Sequence, residues 1–421
     1  MGFRFVHAAD LHLDSPFAGL SQLDPEIASL CREATFDAFK NIVQLCLDRN
    51  VDFLLIAGDV YDSATRSLRA QLAFRMGLEQ LDEAGIQSYV VHGNHDPVGD
   101  WSSTLKWPDS AHVFPGDVVA SVTHECRSGL RVMIHGRSYL HRDVWENLAK
   151  EFKRAPDGDF QIGLLHCNVG SETGHEPYAP CSVDDLIASG LDYWALGHVH
   201  ARNVLMDNSP AVVYPGNPQG RHVKEPGPRG CYLVQVAGDG HVALEFVATD
   251  RVRWFDRHLD ASGVDTEQAL LDELESMLES CGQDGEGRPV LVRIAVTGRT
   301  GLHSVLARSG YIEDLVSQLR GSGSGSDPFV WTTSLSDRTR SDIDISTRRE
   351  AKDLLGDLLR LTDELRSDEN RLTELENVLN PVLEDRRLRK LLSTPSKDEL
   401  RSLLDDAEAV CLDRLLDDSS Q

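Results

Sequence analysis

The chain has 421 residues, 41% hydrophobic and 26% charged, enough for two or three domains with buried cores. Its 68 acidic residues against 42 basic ones leave a formal charge of -26, which excludes a surface built throughout to grip phosphate backbones and allows local basic patches. No run approaches the roughly 18 apolar residues of a membrane span, the N-terminus lacks the apolar stretch of a secretory leader, and the eight cysteines form no C-x-x-C pair. A cytoplasmic protein with reduced thiols and no membrane association is expected.

Residues 1 to about 250 alternate short apolar runs with amphipathic segments. "FRFVHAAD", "VDFLLIAGD" and "QSYVVHGNHD" read as strands, with helices over "EATFDAFKNIVQLCLDRN" and "RAQLAFRMGLEQLDEAG" between them, an α/β pattern. Further strands are predicted at "LRVMIHG", "FQIGLLH", "YWALGH", "AVVYPG", "GCYLVQV" and "HVALEFV". Several lack intervening helices, which predicts a more antiparallel second half. Residues 251 to 340 read strand ("RVRWFDRHL"), helix (265 to 280), strand ("RPVLVRIAVTG"), helix ("HSVLARSGYIEDLVSQLR") and strand ("FVWTTSL"), a small α/β cap. The "GSGSGS" run at 321 to 326 reads as a natural flexible loop or an inserted linker. Residues 341 to 421 carry leucines at helical spacing, with Pro381 interrupting and a new helix near Ser396. Their 13 basic against 21 acidic residues rule out a basic DNA-binding arm, so the apolar stripe either packs within the chain or meets a partner helix.

Five of the apolar runs end on side chains able to bind a metal. These are Asp10 and His12, Asp59 and Asp62, Asn94, His95 and Asp96, His166, and His198 with His200. The carboxyl ends of strands in an open α/β sheet face one crevice, so these residues can converge although they lie far apart in sequence. Oxygen and nitrogen donors without a nearby thiol suit two hard or borderline divalent cations, such as manganese, iron or zinc. At an extended strand end the two-residue period turns Asp10 and His12 to one side and Leu11 into the core, and His198 and His200 repeat the device. A carboxylate can bridge two cations, and Asp59 is the natural bridge because Gly58 allows a sharp turn before it. Gly93 and Gly197 are expected to act likewise before Asn94 and His198. His7, His92 and His135 fall before or outside these strand ends and read as structural. A single D-x-H is more often a capped strand end than a metal site, but five such ends in order are hard to explain that way.

"DLH", "GDVYD", "GNHD", "LLH" and "GHVH" resemble the five signature blocks of the calcineurin-like metallophosphoesterase superfamily, over about 250 residues. The resemblance implies a four-layer α/β/β/α sandwich. It also implies that Asp10, His12, Asp59 and His200 hold one metal and Asp59, Asn94, His166 and His198 the other, with Mn2+ favoured and Fe or Zn as alternatives. By the same resemblance His95 is the general acid that protonates the leaving oxygen, and Asp62 orients its ring. The chemistry agrees, because two cations about 3.5 to 4 Å apart activate water without a protein nucleophile, and an imidazole titrates in the range such an acid needs. Ser63 and Asp96 stand where the protein phosphatases of this type carry arginine and glutamate, which weakens that reading.

The opening "HAADLHLDSPFAGL", the stretch "YPGNPQGRH", the cap and the helical tail are together similar to bacterial SbcD/YhaO-type DNA repair exonuclease subunits. That resemblance implies three parts, a nuclease domain (1 to 250), a cap (251 to 340) and a helical partner-binding region (341 to 421). It further implies a DNA substrate, a coiled-coil ABC/SMC-type ATPase partner and room for a homodimer. Arg221 and His222, with Lys224, Arg229, Arg251, Arg253 and Arg257 nearby, read either as holders of the flanking phosphates or as a solvated loop with scattered salt bridges. The alternative is a small-molecule or cyclic-nucleotide phosphodiesterase using the same metals.

Overall fold

The computed structural model describes residues 2–18, 25–62, 67–99, 105–170, 178–323, 328–383 and 395–418. They divide into two compact units. One comprises Met1–Asp256, Leu278–Arg293 and Arg320–Thr333, and the other Arg257–Met277, Ile294–Leu319 and Ser334–Gln421.

The first unit is built on two six-stranded sheets. β1 (Phe3–Ala8), β2 (Phe53–Ala57), β3 (Gln87–Val91) and β4 (Ala111–Val113) run parallel, with β11 (Gly230–Val236) and β12 (Val242–Ala248) added antiparallel beside β1. β2 is buried along its whole length, as a strand covered on both faces must be, which explains why "FLLIA" shows no polar alternation. The second sheet runs β5 (Ala120–Glu125), β6 (Arg131–Arg137), β7 (Phe160–His166), β8 (Tyr193–Gly197), β10 (Ala211–Tyr214) and β9 (Asn203–Met206). Only its edge pairs are antiparallel. The central strands β6, β7, β8 and β10 are parallel, so the expected antiparallel character is confined to the margins. Among the described residues their crossovers hold one 3-10 turn (Leu148–Glu151), a six-residue helix and the edge strand β9, too little helical periodicity to be read as crossover helices.

Between the sheets lies an aromatic core of Phe3, Phe5, Phe53, Phe160 and Tyr193, with Phe5 and Phe53 stacked at 5.0 Å. α1 (Pro25–Asp48) and α2 (Leu68–Glu83) cover the outer face of the first sheet through Phe36, Phe39, Phe74 and Leu78. α3 (Val183–Ala188), started by a Ser182/Asp185 capping box, covers the second, its Leu186 sharing a buried cluster with Phe152 and with Trp194 of β8. The result is the α/β/β/α sandwich that the resemblance implies.

β13 (Arg253–Asp260), β14 (Val290–Thr300) and β15 (Val330–Ser341) form a three-stranded sheet in that order, with α4 (Glu267–Asp284) between the first two. The helix expected over 303 to 320 is two, α5 (His303–Leu306) and α6 (Tyr311–Gly323), because Gly310 sits at φ +86° between them. Residues 321–323 of the Gly/Ser run belong to α6, and 324–326 lie outside the described residues.

The tail forms α7 (Ile345–Glu350), α8 (Leu354–Ser367), α9 (Glu369–Leu383) and α10 (Lys397–Asp418). Aspartates break what periodicity alone reads as one long helix, since Asp344, Asp353 and Asp368 each accept backbone N–H groups at a new N-terminus. α9 runs through Pro381 instead of ending there, at a position near its C-terminus where the cost is one lost backbone bond. Leu355, Leu359 and Leu412 form one buried cluster and Leu372, Leu400 and Leu404 another, so part of the stripe packs within the tail itself, while Leu354, Leu361, Val378, Leu403 and Val410 stay exposed. Among the described residues no helix is long and apolar enough to cross a membrane.

Candidate metal centre

β1 stops at Ala8, and the next residues leave the extended conformation. Asp10 and His12 have φ of 53° and 43°, Asp59 50° and His198 97°, with Gly58 at 92°. The expected strand-end alternation is therefore not what aims these side chains. Asp10 N–H donates to Gly58 O at 3.0 Å and His12 N–H to Asp59 O at 3.0 Å, so two left-handed turns are zipped together and present their side chains to one crevice. A non-glycine residue in this region costs of order 1–3 kcal/mol, and such strain concentrates where function demands a geometry. Gly58 makes the expected turn and also has the His166 ring against it, whereas Gly93 and Gly197 are glycine for lack of room alone. A Cβ on Gly93 would overlap Asp59 Oδ1 and come within 2.8 Å of the His166 ring, and one on Gly197 would overlap Ala57 O.

The crevice gathers all seven residues expected to hold metal. Asp10, His12 and His200 place ligand atoms within 4.8 Å of one another, as do Asp10, Asp59 and His166. Asn94 Oδ1 lies 3.0 Å from His166 Nε2, and the His198 ring meets the His166 ring edge-on at 5.2 Å. The His198 amide donates to Asp10 Oδ1 at 3.1 Å, which ties the last block to the first.

The donor set fits divalent cations. His166 Nδ1 faces the carbonyl of Ala57 at 3.0 Å, which can only accept, so the proton is on Nδ1 and a lone pair on Nε2 faces Asp59 Oδ2 at 3.4 Å. His200 Nδ1 likewise bonds Glu225 Oε1 at 2.6 Å, leaving its Nε2 lone pair 3.1 Å from His12 Nε2. With its proton on Nδ1, His166 presents an Nε2 lone pair to two oxygen acceptors, Asn94 Oδ1 at 3.0 Å and Asp59 Oδ2 at 3.4 Å, an arrangement that calls for positive charge between them. Burial, then the nearby Asp59, pushes the Asp10 carboxyl well above its usual value, and burial lifts Asp59 to about 6. Burial lowers His166 to about 4 and, with the charge of Arg221, holds His12 well below the ordinary imidazole range.

His95 stands at the rim, its side chain 30% exposed and its Nδ1 3.3 Å from Asp62 Oδ1. Burial disfavours the charged ring, but the Asp62 bond and the charges of Asp59 and Asp62 outweigh it, so its pKa is raised. Asp62 also accepts from Ser15 Oγ at 2.7 Å, and Arg221 Nη1 donates to the same hydroxyl at 2.7 Å. Arg221 thus belongs to the rim. His222 does not join it: its Nδ1 accepts the Lys224 amide at 3.1 Å in an exposed turn. Arg229 bonds His200 O and Asn217 Oδ1, and Arg253 is buried against Asp250 and Glu286, so both serve the scaffold.

Glu225 does not stand out in the sequence, where the neighbouring Arg221, His222, Lys224 and Arg229 draw attention instead. Burial opposes its charge, but the bond to His200 and the charges of His200 and Arg221 hold its carboxyl down at about 2. No periodicity marks such a residue; its proximity to His200 is created by the fold. His7, bonded to Tyr193 at 3.0 Å, and His135, bonded to Ser121 and Gln161, are structural as expected. His92 pairs with buried Asp96 at 2.9 Å. A further trio, Asp52, His124 and Cys126, comes together at the opposite end of β2, where Asp52 accepts the amides of Arg4 and Arg127 and His124 bonds Gln87.

Residues 3–202 match the calcineurin-like phosphoesterase family, and residues 254–340 match the metallophosphoesterase YhaO middle domain. The chain is 38% identical over 343 residues to the "Uncharacterized metallophosphoesterase YhaO" of Bacillus subtilis, covering 81% of this chain and 83% of that protein. It is 27% identical over 281 residues to the "DNA double-strand break repair protein Mre11" of Methanopyrus kandleri, and 25% over 250 residues to its namesake in Methanocaldococcus jannaschii. These matches cover 59% and 56% of this chain and 57% and 63% of the two Mre11 proteins, so less than two thirds of their length is represented. Kinship with YhaO along most of both chains, and strand-end donors of the kind that hold two divalent metals, lead to one assignment: this chain belongs to the calcineurin-like metallophosphoesterases, a superfamily of metal-dependent hydrolases.

Proposed function

We propose that the chain is a two-metal phosphodiesterase acting on DNA, an exonuclease subunit of DNA repair. The observation that carries this reading is the meeting of Asp10, His12, Asp59, Asn94, His166, His198 and His200 in one crevice with His95 at its rim. The Mre11 relatives, named as DNA double-strand break repair proteins, support the choice of DNA over a small ester. Asp10, His12, Asp59 and His200 would hold one cation and Asp59, Asn94, His166 and His198 the other, with manganese the favoured metal. Bound there, the pair would supply a water-derived hydroxide near neutral pH and offset charge on the phosphoryl oxygens.

The chain's own residues do the rest. Glu225 and the Ala57 carbonyl fix the tautomers of His200 and His166, so that Nε2 of each offers a lone pair to the crevice. His95, protonated and steadied by Asp62, gives its proton to the departing oxygen. Arg221 donates at the same rim, where a flanking phosphate would lie. The helical tail is the proposed contact for a coiled-coil ATPase, and the protein is proposed to work in the cytoplasm, alone or as a dimer.

The test is release of nucleotides from linear DNA by the purified protein in manganese, with and without a candidate ATPase. Cleavage is expected to fall by about 100- to 10,000-fold in His95→Gln, the usual contribution of a positioned acid. DNA left intact by the wild type, while a chromogenic phosphodiester is turned over, would replace this reading with a small-substrate phosphodiesterase.

A further inference from the structure

Trp145 is the one aromatic among the exposed large apolar side chains of the described residues, 56% open to solvent in the irregular segment between β6 and β7. Nothing in the chemistry derived above uses it. An exposed indole elsewhere would need no explanation, but this one begins a short aromatic path into the metal centre. Its ring lies 5.1 Å from that of Tyr178, and Tyr178 meets the ring of His198 at 6.0 Å. Trp145 is therefore at most about 11 Å from a proposed metal ligand, a reach of a nucleotide or two.

The indole is also held in place. Its neighbour Val144 is buried, and Val144 O accepts the amide of Ala179 at 2.7 Å. The Tyr178 hydroxyl donates to Asp143 at 3.3 Å, and the Tyr178 carbonyl accepts the Asn168 amide at 3.0 Å. One part of the ring thus rests on a buried tyrosine and the remainder faces water. The flanking residues Arg142, Asp143 and Glu146 are exposed and charged. A lone flat ring amid charges is a poor protein-docking surface, which needs a contiguous apolar patch. It is a good seat for a single planar ring, and base-on-aromatic stacking tolerates any sequence because every base has a π-face.

We propose that Trp145 is a stacking platform for an unpaired nucleobase beside the scissile phosphodiester, so that the site takes a single-stranded stretch of nucleic acid. This inference rests on the DNA phosphodiesterase reading above and adds the form of the strand. A base paired and stacked in a duplex cannot reach the indole, so duplex ends must fray or be opened first.

The experiment measures binding of short single-stranded oligothymidylate by the full chain in manganese, in the His95→Gln background, with one position at a time made abasic. Tryptophan fluorescence is read alongside. One abasic position is expected to weaken binding by about 5- to 150-fold, the 1–3 kcal/mol of one base–aromatic stack. Trp145→Ala should bind intact and abasic strands alike and lose the fluorescence quench, whereas Trp145→Phe should keep most of the discrimination. Equal affinity of the His95→Gln protein for intact and abasic strands, or discrimination undiminished in Trp145→Ala, would overturn the stacking proposal and leave the DNA reading intact. Failure to bind any oligonucleotide, alongside wild-type hydrolysis of a chromogenic phosphodiester, would overturn both.

Discussion

Asp96 offers the sharpest test of how the two central turns are held. It is fully buried, and its oxygens are all acceptors: Oδ2 takes the Val60 amide at 2.8 Å and the Tyr61 amide at 3.3 Å and pairs with His92 Nδ1 at 2.9 Å, while Oδ1 takes the Gly93 amide at 2.8 Å. One carboxylate thus joins the turn that carries Asp59 to the turn that carries Asn94. In Asp96→Asn only one oxygen remains. If it stays with Val60 and Tyr61, the new NH2 group opposes the Gly93 N–H, leaving a buried donor unpaired at about 1–3 kcal/mol. Loss of the charge shared with His92 adds to this, so a destabilisation of about 2–4 kcal/mol is expected, against a total of about 5–15 kcal/mol for a folded domain. Burial opposes ionisation of Asp96, yet His92 and the Gly93 amide outweigh it and set its pKa below the ordinary 3.8. A depressed carboxyl stabilises the fold above its unfolded pKa and ceases to do so as pH falls through the folded one. The gap between variant and wild type should then be constant near neutrality and close only below about pH 4. Urea unfolding of both proteins across pH is the assay. A variant within about 0.5 kcal/mol of wild type at pH 7, the range of ordinary surface substitutions, would refute this reasoning.

Two further outcomes follow from the rim and the support of the ligands. Asp62 helps hold the His95 pKa above its ordinary 6.5, so Asp62→Asn should move the alkaline limb of the pH–rate profile toward lower pH; an unmoved limb would mean that Asp62 does not act through His95. Glu225→Gln should weaken metal binding about 10- to 100-fold in equilibrium dialysis, as removal of carboxylates behind ligating histidines does, and unchanged affinity would assign Glu225 to the scaffold alone.

Much of the site is legible in the sequence because its residues betray themselves by position. Asp10, Asp59, Asn94, His166 and His198 follow apolar runs where a core residue would otherwise stand, and strand ends are where an α/β sheet opens. The means of aiming them is not legible. Left-handed backbone at Asp10, His12, Asp59 and His198 has no signature, since these are not the glycines that usually announce it. Gly93 and Gly197 are visible as glycines, but whether a glycine serves a turn or a tight approach depends on neighbours from other strands. Glu225 is invisible for the same reason. Of the fold, long apolar strands and amphipathic helices are readable, whereas β4, β5 and β9 are too short or too polar to stand out. Parallel pairing of β6, β7, β8 and β10 escapes a reading that expects helices at each crossover.

The central claim is that two cations share the crevice, bridged by Asp59. Crystals of the full chain soaked in manganese and measured at the manganese absorption edge address it directly. Two anomalous peaks about 3.5–4 Å apart are expected, one beside Asp10, His12 and His200, the other beside Asn94, His166 and His198, with Asp59 touching both. A single peak at saturating manganese, or peaks remote from Asp59, would contradict the two-cation centre.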